Sequence, residues 1–173
     1  LLQFVKDKGF RCLGIEPTLS TALAAEKKGI EIVKKFFNKN LAMDIRKEKG
    51  LAKLIFANNV LAHVPDLNDF LKGFEELLSD DGVAIFEFAH VLELIKNKQF
   101  DTIYHEHYSY LSLLAVEKIF QACNLDVFDV ETINTHGGSL RVFAQKISSG
   151  KYLKTDRLRQ LRSVELDNNL NII

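Results

Sequence analysis

The densest chemistry in this sequence lies between Asp101 and Ser112, which reads Asp-Thr-Ile-Tyr-His-Glu-His-Tyr-Ser-Tyr-Leu-Ser. Tyr104, His105, Glu106, His107, Tyr108 and Tyr110 gather here two of the chain's five histidines and three of its four tyrosines. Imidazole titrates near neutral pH, and a neighbouring carboxylate can orient it and raise its basicity. That set suits general acid–base catalysis, in which a side chain takes or returns a proton during the reaction. Two other readings fit the same residues. Aromatic-rich segments often serve packing alone. In an extended segment His105 and His107 would share a face and reach one metal ion.

The elements that must position this segment alternate between strand and helix. Leu1–Lys8 reads as a helix ended by Gly9, Phe10–Glu16 as a strand, and the stretch from Thr18 or Ser20 to Lys28 as a helix with Leu19, Ala22, Leu23 and Ala25 on one side. Ile30–Val33 is a short strand and Asn40–Lys49 a helix. Leu54–Asn59 is a buried strand ending in two amides. Asp66–Leu78 is the clearest helix, with Leu67, Phe70, Leu71, Phe74, Leu77 and Leu78 on one stripe. Asp81–Gly82 is expected to turn the chain into a strand over Val83–Phe88 that is buried on both faces. Val91–Lys98 and Leu113–Cys123 read as helices, Leu125–Ile133 and Ser139–Lys146 as an antiparallel hairpin, and the tail from Lys151 as helical.

This alternation predicts an α/β fold with a largely parallel sheet. Ligands of such sheets sit at the carboxyl ends of the strands. Polar residues fall at those points: Glu16, then Asn58 and Asn59 with His63, then Glu87 to His90 leading toward the His/Tyr segment. An acid that ends the second strand of a nucleotide-binding unit can accept hydrogen bonds from ribose hydroxyls. Glu16 fits that place or is a solvated strand end. The Gly-rich loop that precedes such an acid by about 20 residues would lie ahead of Leu1.

Composition narrows the partners. The 173 residues carry 23 Lys plus Arg against 23 Asp plus Glu, so no net field draws the chain to nucleic acid or an anionic membrane. No apolar run has the length of a membrane span. Cys12 and Cys123 are too few for a disulfide framework and read as reduced core thiols of a cytoplasmic protein.

Four stretches carry a family resemblance: Gly14-Ile15-Glu16-Pro17, Ala57-Asn58-Asn59-Val60-Leu61-Ala62-His63-Val64-Pro65-Asp66-Leu67, Phe100-Asp101-Thr102-Ile103-Tyr104-His105-Glu106-His107 and Thr135-His136-Gly137-Gly138-Ser139-Leu140-Arg141. Together, in this order, they resemble the S-adenosylmethionine-dependent sugar C-methyltransferases, which methylate carbon in nucleotide-linked deoxy keto sugars. The resemblance spans about Leu1 to Lys146. It implies a Rossmann-like class I methyltransferase sheet, mostly parallel with a terminal antiparallel hairpin. It implies that Glu16, with Pro17 beside it, binds the ribose of S-adenosylmethionine and that Asn58 and Asn59 line its methionine side. His107 is then the general base, with Tyr104, Glu106 and His63 around the reacting sugar, and no metal takes part. Zinc belongs only to an amino-terminal domain outside this chain.

The same resemblance divides the chain into a methyltransferase domain, residues 1–147, and a helical tail, 148–173, leading toward a further carboxyl-terminal domain. It also implies that the first strand of the sheet, between the strand ending at Glu16 and the strand ending at Asn59, is missing here. The two flanking strands are then expected to self-associate through open edges, to pair with each other, or to borrow a strand. A class I methyltransferase with another small-molecule substrate, or a non-catalytic domain of the same fold, are the alternative readings. His136 and His90 remain open between the rim of the site and structural roles.

Overall fold

The computed structural model describes residues 1–171; Ile172 and Ile173, the last of the expected tail, lie outside the described residues. The elements run α1 (Leu2–Asp7), β1 (Leu13–Ile15), α2 (Leu19–Lys27), β2 (Glu31–Val33), α3 (Lys39–Lys49), β3 (Ala52–Asn58), α4 (Leu67–Leu77), β4 (Leu78–Ala89), α5 (Val91–Lys96), α6 (Leu113–Ala122), β5 (Leu125–Ile133), β6 (Ser139–Lys146) and α7 (Asp156–Asp167). Short 3-10 turns occupy Leu61–His63, Phe100–Thr102 and Thr135–Gly137.

The core is built where periodicity is strongest. In α4, Asp66 accepts the Asp69 N–H at 3.0 Å and caps the helix. Its stripe of Phe70, Leu71, Phe74 and Leu77 is buried. Phe74 meets Phe86 of β4 with ring centroids 4.6 Å apart, and Phe86 meets Phe120 of α6 at 4.7 Å. Ala84, Phe86 and Phe88 of β4 lie beside Ala144, Val142 and Leu140 of β6, and all six are buried. Each such large apolar side chain contributes about 1.5–3 kcal/mol by leaving water.

The strands form a four-stranded sheet in the order β3-β4-β6-β5 and a separate two-stranded parallel sheet, β1-β2. β3 and β4 are parallel, and β6 runs antiparallel to both of its neighbours, which gives the expected β5–β6 hairpin. β1 and β3 are not hydrogen-bonded to each other, so the expected alternative of direct pairing between them is not adopted. The small sheet is held instead through side chains: Leu13, Ile15 and Val33 pack on Leu41, Ala42 and Ile45 of α3.

Several expectations change. β3 is an edge strand, and Leu54 stays 49% exposed rather than buried. β1 spans three residues only, with Phe10 exposed. In α2 the small Ala22 faces the protein while Leu19 and Leu23 are exposed. β4 starts at Leu78, before Asp81–Gly82, and the extra residues are taken up by a register shift opposite Ala52–Leu54. Cys12 is only half-buried, whereas Cys123 is in the core; both are free thiols. The tail helix begins at Asp156, where the Thr155 hydroxyl accepts the Leu158 N–H, and not at Lys151. Among the described residues no helix is long and apolar enough to cross a membrane.

Candidate active site

β3 delivers its two amides to the carboxyl edge of the sheet. Asn58 is exposed and lies beside Glu87 of β4. Asn59 has φ 54°, a left-handed conformation that Asn tolerates better than most residues, and its N–H donates to the Glu87 carbonyl at 2.7 Å. The chain therefore turns sharply into Leu61–His63, anchored by the buried Leu61.

The His/Tyr segment docks on that turn. Tyr108 and Ser109 both donate their N–H groups to the Ala62 carbonyl, at 2.9 and 3.3 Å. His63 Nδ1 lies 2.9 Å from the Glu106 carbonyl. At one root of the segment Gln99 Nε2 donates to the Gly137 carbonyl at 2.7 Å, and at the other Ser112 Oγ accepts the Ala115 N–H at 3.1 Å and caps α6. Between the roots the chain is not extended. His107 N–H donates to the Tyr104 carbonyl at 3.1 Å, closing a turn through His105 and Glu106. The face-sharing of His105 and His107 that a metal site would need is thereby lost, and among the described residues no group of three His, Cys, Asp or Glu converges as a metal site would.

His107 is the focus of the cluster. Its Nδ1 is 2.8 Å from the Thr102 carbonyl, which can only accept, so Nδ1 carries a proton and Nε2 of the neutral ring keeps its lone pair. Ring centroids of Tyr104 and His63 lie 4.4 and 4.7 Å away, and Tyr110 stands edge-on at 5.9 Å. His107 is half-buried, while Tyr104 and Tyr110 are exposed. Such a ring, fixed in tautomer yet open to a ligand, can take a proton from a carbon acid.

The structure thus brings together His63, Tyr104, Glu106 and His107, while Asn58 and Asn59 end the strand that leads into the His63 turn. Glu106 joins through its carbonyl and not, as expected, through its carboxylate. Glu16 and Pro17 stand apart, at the end of β1 in the small sheet. Glu16 donates its N–H to the Val33 carbonyl at 3.0 Å, and its carboxylate accepts the Thr18 N–H at 2.8 Å.

Thr102 and Gln99 have no role legible in the sequence, because Thr102 acts through its own carbonyl and Gln99 on the Gly137 carbonyl, and side-chain chemistry reveals neither. Sequence reasoning also missed Arg141, although the Ser-Leu-Arg motif contained it. Arg141 joins the buried Glu87 at 3.1 Å to Glu131 at 3.4 Å, in a row set by the strand register. With Asn58, Phe56, Ile85, Phe143 and Leu1 it also lines a cavity of about 290 Å³. Arg157 extends the row to Asp129. Burial pushes the Asp129 carboxyl up, but the Arg157 guanidinium, the Thr155 hydroxyl at 2.6 Å and the Val130 N–H at 2.9 Å bring it below the usual carboxylate range. His136 has φ 51° and is exposed, in the turn that supplies the Gly137 carbonyl.

An α/β sheet with one antiparallel strand and polar residues at the carboxyl edge of its parallel strands is the frame of a class I methyltransferase. Residues 1–130 match the family described as "Methyltransferase domain", and the chain belongs to it. It is 38% identical over 143 residues to the C-methyltransferase NovU of Streptomyces niveus, a match that covers 83% of this chain and 34% of that protein. The chain therefore spans about a third of that relative's length. Solved structures share the fold. An S-adenosylmethionine-dependent methyltransferase from Anabaena variabilis superposes with TM-score 0.64 at 13% identity, over 84% of this chain and 72% of that one. Magnesium protoporphyrin IX methyltransferase from Synechocystis, solved with bound S-adenosylhomocysteine, gives 0.56 at 14%, over 78% and 63%.

Proposed function

We propose that this chain is the cofactor-binding and base-bearing part of a C-methyltransferase that uses S-adenosylmethionine and acts on a nucleotide-linked deoxy keto sugar. The observation that carries the reading is His107: its Nδ1–H is committed to the Thr102 carbonyl, so the opposite nitrogen is the basic one.

The residues present suit the cofactor by their chemistry. Glu16 offers carboxylate oxygens at a strand end to ribose hydroxyls, with Pro17 stiffening the turn behind it. Asn58 and Asn59 offer amides at the end of β3 to the methionine portion. S-adenosylmethionine, when bound, supplies an electrophilic methyl group. Carbon accepts a methyl only after it becomes nucleophilic, and a neighbouring carbonyl makes its C–H acidic enough to deprotonate. His107 Nε2 takes that proton while its Nδ1–H stays bonded to the Thr102 carbonyl. The Tyr104 hydroxyl donates to the oxygen on which enolate charge develops. His63, held by the Glu106 carbonyl, packs beside the imidazole at 4.7 Å between ring centroids.

In the complete protein, His107→Asn is expected to keep S-adenosylmethionine affinity by calorimetry and to lose about 10²-fold or more in methyl transfer. Near wild-type turnover would remove His107 from the mechanism.

A further inference from the structure

α7 places charge on the face that amphipathic helices reserve for the core. Leu158, Leu161, Arg162 and Glu165 form its inward stripe. Leu158 is fully buried, and Arg162 Nε donates to the buried Glu117 of α6 at 3.0 Å. Glu165 is 0% exposed. Its Oε1 accepts the Leu113 N–H at 2.6 Å and its Oε2 the Leu114 N–H at 2.8 Å. The same Oε1 is 2.7 Å from His90 Nε2, on a ring only 3% exposed.

These partners converge on one root of the His/Tyr segment. Leu113 and Leu114 directly follow Ser112, and their N–H groups open α6. His90 leaves the end of β4, bridges Leu111, and donates its N–H to the Gly138 carbonyl at 3.0 Å. Val91 donates to the Leu111 carbonyl at 3.0 Å. A buried carboxylate is costly unless its oxygens are paired, and here both are. An apolar residue would complete the stripe of α7 without that requirement, and the helix amino terminus would be met by water or a cap. What only the carboxylate does is tie α7, the end of β4 and the start of α6 into one fixed point.

We propose that Glu165 is a positioning residue for the base: it pins the carboxyl-terminal root of the segment so that His107 keeps its bond to Thr102 and its place against Tyr104 and His63. The proposal rests on the reading of His107 as the base. It makes α7 part of the site's support rather than a tail beyond it.

The test uses the complete protein with Glu165→Gln, which keeps shape but lacks the second acceptor, and His90→Gln, which loosens the latch from the opposite side. Leu158→Ala is the control: it removes core packing from the same helix and leaves the carboxylate in place. Amide hydrogen exchange and the side-chain nitrogen resonances of labelled histidine are followed, neither of which needs a substrate. In Glu165→Gln, amides of residues 103–114 are expected to exchange about tenfold faster or more while those of β3 to β6 do not, and His107 changes from an Nδ1–H signature to a mixture of tautomers. His90→Gln gives the same local pattern, weaker; Leu158→Ala loosens α7 and leaves the His107 signature alone. An unchanged His107 signature in Glu165→Gln, or the same exchange pattern in it and Leu158→Ala, overturns the proposal. Retained turnover in His107→Asn would instead defeat the reading of the base and leave these results untouched.

Discussion

Gly138→Ala is expected to destabilise the protein by about 2–6 kcal/mol, from two costs that the structure separates. Gly138 has φ 118° and ψ 113°, outside the regions that L residues occupy, and a side chain there costs about 1–3 kcal/mol in backbone strain. The added Cβ would stand 2.8 Å from Glu93 Cγ and 2.9 Å from Glu93 Cβ. The Cγ can swing aside, but the Cβ is fixed to α5, so the helix must shift, at about 1–3 kcal/mol. Gly9→Ala isolates the first cost: φ is 83° and nothing lies within 4 Å of its added Cβ, so about 1 kcal/mol is expected. Urea unfolding measures both, read as midpoint shifts at constant slope. A loss in Gly138→Ala no larger than in Gly9→Ala would refute the close packing of this turn on α5. The turn also supplies the Gly137 carbonyl that holds Gln99, so a displaced α5 disturbs the amino-terminal root of the His/Tyr segment.

Asp129→Asn is expected to cost about 1–3 kcal/mol at pH 7. The folded pKa of Asp129 is depressed, so its stabilisation is complete above the unfolded value of about 3.9 and is lost as pH falls through the folded value; urea midpoints of the two proteins should converge in acid, and a pH-independent gap contradicts the linkage. Glu16→Ala in the complete protein should weaken S-adenosylmethionine binding by about 1–3 kcal/mol by calorimetry, and unchanged affinity would leave Glu16 a solvated strand end. Residues 1–173 alone, with β1 and β3 unpaired along the edges between the two sheets, are expected to self-associate in sedimentation as concentration rises; a monomer throughout would show that those edges are protected.

The elements legible in the sequence are those whose burial is local. α4 shows a complete stripe and its Asp66 cap, and β5 and β6 match their expected bounds because Gly137–Gly138 separates two apolar runs. α2 misled because its burial is set by the approach of the small Ala22, which hydrophobicity does not rank above Leu19 or Leu23. β4 misled because Asp81–Gly82 reads as a turn before the strand, while Leu78 already pairs with Ala52 and the residues between it and Val83 form an irregularity inside the strand. Of the site, side-chain identities were visible and the main-chain contacts were not: Thr102, Glu106 and Ala62 all contribute carbonyls. The charged stripe of α7 was opaque for a related reason. Arg162 and Glu165 look like solvent-facing residues until α6, distant in sequence, is packed against them.

Solvent exchange reads by itself the step proposed for His107, removal of a proton from carbon. The complete protein is incubated in deuterated water with a nucleotide-linked deoxy keto sugar and S-adenosylhomocysteine, so that no methyl can be transferred, and deuterium at the carbon beside the carbonyl is followed by NMR. Exchange by the wild-type protein, slowed about 10²-fold or more in His107→Asn, is the expected result. Equal exchange rates in the two proteins would contradict it.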